Sequence, residues 1–478
     1  MINAAPLLTE LCDKSILILG LGREGCATFS FLRTLFPKKL LGLADQAVLG
    51  QLSAPVQEAM RADAHVRLHL GSDYLTSLLQ YDVIIKSPGI PPSLPALQQA
   101  ARAGKLITSQ TALFFANCPA TIIGVTGTKG KSTTASLIRD ILLAGGYDAR
   151  LVGNIGQPPL ALLPQARAET LFVCELSSYQ LEGLRQSPHI AVLLNIVPEH
   201  LDYHGDFAHY LAAKRTITRY QSAQDYLVYD AASEVVRQVA AETPAQQFPF
   251  SLTRPLVPGC FVADSDIVCC SAPGRCETIL KVTEIPLVGA FNVPNVLAAV
   301  AVGKLLGVAA GAIADAVRRF QPLEHRLELV GAYCGITFYN AAIATVPQAT
   351  IAHLEALGPE VQTVLLGGYD RHLDFSELGE CLATSQVKTL ILFPTTGQRI
   401  WEAVCRQRKS APALPQAFFV QSMEEAVRLA YRHTEAGKIC LLSPASPSFG
   451  LFRDYQERGK LFKHYVQQLG QADTSTSS

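Results

Sequence analysis

The chain has 478 residues, 49% of them apolar and 17% charged, with 40 lysines and arginines against 40 aspartates and glutamates. That length exceeds what one hydrophobic core supports and implies about two to four packed domains. The neutral balance gives no basis for nucleic-acid binding or a basic membrane surface, and no segment reaches the roughly 18 uninterrupted apolar residues of a membrane span.

The first 22 residues, MINAAPLLTELCDKSILILGLG, carry neither a basic leader region nor a long apolar one, so a soluble, cytoplasmic chain is expected. Next, SILILGLG (15–22), KLLGLAD (39–45) and DVIIKSPGI (82–90) read as strands separated by helical stretches. Such alternation implies βαβ units and a parallel sheet. A second unit is expected from residue 108, with strands at 120–125, 169–178 and 190–202 whose carboxyl ends are polar. Residues 291–307, FNVPNVLAAVAVGKLLG, have the apolar spacing of a helix. A third unit is expected from residue 323, with strands at 363–368, 389–393 and 439–444 and a closing helix. The expected organisation is therefore α/β with three domains, 1–107, 108–322 and 323–468, and a disordered polar tail at 469–478.

The 12 cysteines are scattered, as reduced thiols of a cytosolic chain would be. Cys260, Cys269, Cys270 and Cys276 cluster, but no C-x-x-C pair exists, so buried or loop cysteines are expected there rather than zinc.

The strand at 120–125 leads into Thr126-Gly127-Thr128-Lys129-Gly130, and a helix follows from Lys131. Glycines let backbone N–H groups face phosphate oxygens, and a helix amino end adds a positive dipole. Lys131 can reach the β- and γ-phosphates, and Ser132 or Thr133 can ligate Mg²⁺. The spacing departs by one step from the usual G-x-x-x-x-G-K-[ST], since residue 125 is valine. Earlier, Gly20, Gly22 and Gly25 match G-x-G-x-x-G, with Asp45 about twenty residues on. Alone that suggests a dinucleotide site. With a separate nucleotide loop downstream, it reads as a holder of some phosphate-bearing ligand, or as a glycine turn for close packing.

GVTGTKGKSTT resembles the phosphate loop of the Mur ligases and folylpolyglutamate synthases. GNIG (153–156), CELSSYQLE (174–182), NIVPEHLDYHGDFAHYLAAKRTI (195–217), FNVPNVLAA (291–299), EHRLE (324–328), LLGGYDR (365–371) and LSPASPSFGLFRDYQERGKLF (442–462) follow in the family's order. The resemblance spans essentially the whole chain and is strongest to the glutamate-adding, MurD-type branch. It implies a first domain for a uridine nucleotide, a central ATPase and a Rossmann-like lid. It also implies a reaction: ATP phosphorylates the carboxylate of UDP-N-acetylmuramoyl-L-alanine, and the glutamate amine displaces the phosphate. The implied ligands are ATP and Mg²⁺, in a monomer with no nucleic-acid partner.

By resemblance, Lys131, Glu175, His200 and Lys214 are catalytic, and Ser132, Glu175, His200 and a carbamylated Lys214 ligate metal. Gly127 to Thr133 with Asn292, Asn295 and Arg326 would hold ATP. Gly22, Arg23, Asp45, Ser87, Asn154 and His200 would hold the uridine substrate. Thr345, Arg371, Ser448 and Tyr455 would hold the acceptor glutamate.

The chain departs from the family at 340–345. The usual N-D-S-K-A-T is here Asn340-Ala341-Ala342-Ile343-Ala344-Thr345, without the acid, hydroxyl or lysine. Phe291 also stands where the branch commonly has histidine. Either Arg371 supplies the cation for the acceptor, with D- or L-glutamate as substrate, or transfer is impaired and a nucleotide-binding homologue remains. On the first reading, Ala341→Asp with Ile343→Lys is not needed for activity; a native chain that is inert and revived by the pair would show the opposite.

Overall fold

The computed structural model describes residue 9 and residues 11–52, 54–408 and 413–475. The reading of the amino-terminal stretch rests partly on residues 1–8, and the expected tail includes 476–478; both lie outside the described residues. The chain folds as two compact units, one of residues 1–284 and 293–319, the other of 285–292 and 320–478.

In the first unit, β1 (Ile16–Leu19), β2 (Leu41–Asp45), β3 (Val66–Leu70), β4 (Val83–Lys86) and β5 (Leu106–Ser109) form a parallel sheet in the order 3-2-1-4-5. β1 and β4 are buried along their whole length, which is why they read as unbroken apolar runs. The chain winds away from β1 to β3, then returns to β4 on β1's other side. This reversal makes a crevice at the strand ends, the usual ligand position of such sheets. The turn after β1 enters helix α1 (Arg23–Leu35). Gly20 has φ +90°, and a Cβ there would meet the Ser87 side chain at 2.9 Å, so only glycine fits.

The second sheet holds β6 (Thr121–Thr126), β7 (Ala149–Gly153), β8 (Leu171–Glu175), β9 (Ile190–Leu193), β10 (Tyr226–Asp230), β11 (Gln246–Ser251), β12 (Gly259–Ala263), β13 (Asp266–Ala272) and β14 (Arg275–Lys281). Its order is 14-13-12-11-10-9-6-8-7. Helices α2 (Lys131–Ala144), α3 (Ser178–Leu181), α4 (Leu201–His204), α5 (Phe207–Arg219) and α6 (Val293–Leu305) accompany it. α6 is apolar all round and buried over most of its length, packed on α2. One apolar core joins the two sheets, with Phe114 set edge-on to Phe172 at 5.2 Å.

The antiparallel ribbon β12–β14 was not legible in the sequence, and it corrects the reading of its cysteines. Cys269 and Cys270 are consecutive on β13 and face opposite ways. Register sets Cys269 opposite Cys260 and Cys270 opposite Cys276, and each pair forms a disulfide. Neither reduced thiols nor a metal site stands there.

In the second unit, β15 (Glu328–Tyr333), β16 (Ile336–Asn340), β17 (Val361–Gly367), β18 (Thr389–Phe393), β19 (Gln416–Phe419) and β20 (Ile439–Leu442) form a sheet in the order 15-16-20-17-18-19, parallel except for β15. Helix α7 (Pro347–Leu357) follows β16, and α8 (Tyr455–Ser475) ends the described chain. α8 thus runs through 469–475, where disorder was expected. Extending an existing helix adds a hydrogen bond for each residue fixed, so a polar sequence suffices.

His353 on α7 shares a hydrogen bond with Ser443 Oγ at 3.0 Å, and burial pulls its pKa from 6.5 to about 4. The folded state therefore favours neutral imidazole, and the unfolded chain binds the extra proton. Stability is full above about pH 6.5 and falls as pH drops towards 4. We expect His353→Gln to remove about 2–3 kcal/mol of that pH-dependent loss, read as the difference between wild-type and variant urea midpoints at pH 7 and pH 4.5; parallel curves would refute it.

Candidate active site

Parallel register places Val125 level with Glu175 and Thr126 level with Leu193. The phosphate loop, the Glu175 carboxylate and the segment after β9 therefore leave the sheet together. Thr128 anchors the loop: its N–H donates to Asn195 O at 2.8 Å, and its hydroxyl meets Val197 N–H at 3.0 Å and Tyr210 OH at 2.9 Å. Gly130 has φ +86°, and a Cβ there would fall on the Asn295 side-chain oxygen. That approach brings Asn295 of α6 to the loop. Lys131 Nζ donates to the Gly127 and Thr128 carbonyls at 3.1 and 2.9 Å, so the ammonium lies over the loop. Ser132 is buried and Thr133 half-buried behind it. Lys129 turns outward to an ion pair with Glu199 at 2.6 Å.

Glu175 is 1% exposed. Its Oε1 accepts from Asn154 Nδ2 at 3.0 Å, while Oε2 is buried without a partner among the described residues. A buried carboxylate oxygen with no donor calls for a cation. Lys214 on α5 is also 1% exposed; its Nζ donates to Thr126 Oγ1 at 3.0 Å and sits 5.2 Å from the Tyr210 ring centroid. Burial, then Lys131, hold its pKa well below the usual lysine value. His200 has a left-handed backbone, φ 57°, and its ring lies against Tyr179 at 5.1 Å. Burial lowers its pKa, which favours neutral imidazole, a form that can accept.

Among the described residues no three His, Cys, Asp or Glu side chains are placed to hold a metal. The donors that the resemblance assigns, Ser132, Glu175 and His200, amount to one hydroxyl, one carboxylate and one imidazole, so a Mg²⁺ held by them would complete its shell with water and phosphate oxygens, its habit in nucleotide sites. The orphaned Glu175 oxygen, the loop N–H groups and Lys131 fit a metal-bound triphosphate.

At the first sheet's crevice, Asp45 accepts from Leu21 N–H at 2.6 Å and Ala47 N–H at 2.8 Å, and Ser87 Oγ donates to Gly20 O at 2.8 Å. Both brace the glycine turn. Gly22 leaves its flank open. Arg23 donates to the backbone carbonyls of Gly153, Asn154 and Gly156.

In the second unit, Thr345, Arg371 and Ser448 lie on the segments leaving β16, β17 and β20, neighbours in the sheet. Arg458 of α8 ties these segments from below, donating to Ala342 O at 2.7 Å, Ser446 O at 3.1 Å and Gly367 O at 3.5 Å. Burial pushes its pKa down to about 9. Arg371 is exposed and Ser448 buried. Tyr455 packs edge-on to His325 at 6.0 Å. Arg326 is half-buried, between left-handed His325 and Leu327. Asn292 donates to Val288 O at 2.8 Å. Ala341 and Ala342 are fully buried in separate apolar clusters. The residues that replace the family acid and hydroxyl therefore fill the core.

Sequence reasoning missed Tyr210, Thr126 and Asn195. Tyr210 had a readable signal: it lies four residues before Lys214, on the same helix face. Because Gly130 combines a left-handed backbone with contact to Asn295, Gly130→Ala should weaken binding of a non-hydrolysable ATP analogue about tenfold or more while the chain still folds; calorimetry showing unaltered affinity would refute this placement.

Three family models match the chain: "Mur ligase MurD-like, N-terminal domain" over 14–109, "Mur ligase middle domain" over 125–303, and "Mur ligase, glutamate ligase domain" over 325–446. The UDP-N-acetylmuramoylalanine–D-glutamate ligase of Acetivibrio thermocellus is 35% identical over 464 residues, covering 96% of this chain and 97% of the relative. That of Symbiobacterium thermophilum is 40% identical over 408 residues, 84% and 88% of the two chains. In fold, the chain is similar to UDP-N-acetylmuramate-alanine ligase MurC of Thermotoga maritima, with TM-score 0.59, 14% identity and coverage of 95% and 99%. It is also similar to MurF ligase of the same organism in complex with ADP, with TM-score 0.57, 14% identity and coverage of 95% of each. With full-length relatives above 30% identity and all three family models in sequence, the chain belongs to the Mur ligase family.

Proposed function

We propose that the chain is an ATP-dependent, amide-forming ligase that adds glutamate, D-glutamate first, to UDP-N-acetylmuramoyl-L-alanine in peptidoglycan synthesis. The observation that carries this is the convergence of the Lys131 loop, the orphaned Glu175 carboxylate oxygen and Lys214 at the end of β6. The names of the full-length relatives support the acceptor.

A carboxylate is a poor acylating agent and needs a phosphate leaving group. Transfer from ATP brings two anions together, and Lys131 supplies a cation between them. A Mg²⁺ held by Ser132, Glu175 and His200 would supply further positive charge at the same phosphates. Neutral His200 accepts without adding charge. Lys214, buried with no ion pair among the described residues, suits a carbamate, which would turn a costly cation into an oxygen ligand. Gly127 to Thr133, with Asn292, Asn295 and Arg326, belong to ATP in this reading. Gly22, Asp45, Ser87, Asn154 and His200 serve the uridine substrate, and Arg23 joins them through the 153–156 loop that its guanidinium holds. Thr345, Arg371, Ser448 and Tyr455 serve the acceptor, with Arg371 as the exposed cation facing its carboxylate. The domains run 1–107, 108–322 and 323–468, in a cytoplasmic monomer.

The test is phosphate release with UDP-N-acetylmuramoyl-L-alanine, ATP and either D-glutamate, L-glutamate, lysine or diaminopimelate. Release is expected with D-glutamate; dependence on L-glutamate alone identifies the other stereochemistry, and release without the uridine substrate defeats the ligase reading. Lys131→Ala should lower the rate at least about 100-fold. Depleting CO₂ should slow the wild type reversibly; an unchanged rate removes the carbamate.

A further inference from the structure

We propose that Arg23 and Glu24 are positioning residues: from the first turn of α1 they grip the two segments flanking Glu175, and so couple the glycine turn of the first sheet to the metal-binding carboxylate of the second. The proposal rests on the reading of Glu175 as a metal ligand.

The Arg23 guanidinium serves three carbonyls of one loop. Nη2 donates to Gly153 O at 2.6 Å and Asn154 O at 3.2 Å, and Nη1 to Gly156 O at 3.4 Å. That loop then holds Glu175 twice: Asn154 N–H donates to Glu175 O, and Asn154 Nδ2 to Glu175 Oε1, both at 3.0 Å. Glu24 grips the other side. Its Oε1 accepts from Gln180 Nε2 at 2.7 Å, and Gln180 Oε1 accepts from Ser177 N–H at 2.9 Å, closing the turn into α3 just after Glu175.

Arg23 and Glu24 are consecutive, and they directly follow the glycine turn braced by Asp45 and Ser87. A ligand that orders this turn fixes the start of α1, and with it both grips. The coupling runs both ways: what favours the uridine site favours the metal at Glu175, and the reverse. A planar fork with five donors suits three carbonyls at once, whereas lysine has a point charge on a flexible stem. Orientation of a ligand by outer partners is commonly worth 10- to 100-fold in metal affinity or activity.

Arg23→Gln and Arg23→Lys in the full chain test the proposal. In metal-free protein, hydrogen exchange at the amides of 153–157 should quicken in Arg23→Gln, with the melting temperature nearly unchanged. The Mg²⁺ concentration that half-saturates binding of a non-hydrolysable ATP analogue should rise about tenfold, and Arg23→Lys should recover part of it. In turnover, kcat should fall, and any rise in KM for the uridine substrate should track the raised Mg²⁺ requirement. Unchanged exchange and Mg²⁺ requirement overturn the proposal. A raised KM with an unchanged Mg²⁺ requirement also overturns it, and makes Arg23 a substrate contact. A wild type that turns over no acceptor defeats the functional reading instead, while exchange and analogue binding still decide the grip.

Discussion

Glu175 buries a carboxylate at the end of a central strand and leaves one oxygen without a donor among the described residues. Such a group is costly unless a cation meets it, and the surroundings are arranged around that cost. Asn154 satisfies the other oxygen, Lys131 lies over the neighbouring loop, and Lys214 stands behind, its ammonium on the Thr126 hydroxyl and against the Tyr210 ring. The first unit thus holds an unbalanced charge pattern whose chemistry fits a metal-bound triphosphate.

Holding this pattern requires rigidity from parts of the chain far apart in sequence. The shared apolar core through Phe114 and Phe172 joins the first two sheets. Thr128 and Tyr210 lock the loop to α5, and Asn295 closes on Gly130 so tightly that no side chain fits there. These contacts place the donors before any ligand arrives, so little reorganisation is needed when it does.

The second unit solves a different problem. Its three loop segments leave adjacent strands, and the buried guanidinium of Arg458 gathers their carbonyls. Ala341 and Ala342 give the segment after β16 two apolar anchors in place of the family's acid and hydroxyl. Arg371 stands exposed on the segment after β17, beside that loop's strand neighbours.

The sequence by itself determined the α/β class, the strands that carry the loops and the phosphate loop, because apolar runs and glycine turns are local signals. It also marked Glu175, His200 and Lys214, through motifs read by resemblance. Only tertiary structure decided how these groups are used. Asp45 follows the glycine motif and Ser87 was marked by resemblance; the fold adds that their side chains hydrogen-bond the backbone of the glycine turn. Arg23 sits in the same motif, and its partners lie 130 residues away. The cysteine pairs depended on the register of β12–β14, which alternation places on opposite faces and which no spacing rule shows. Local periodicity says which residues form an element; long-range packing says which atoms that element then faces.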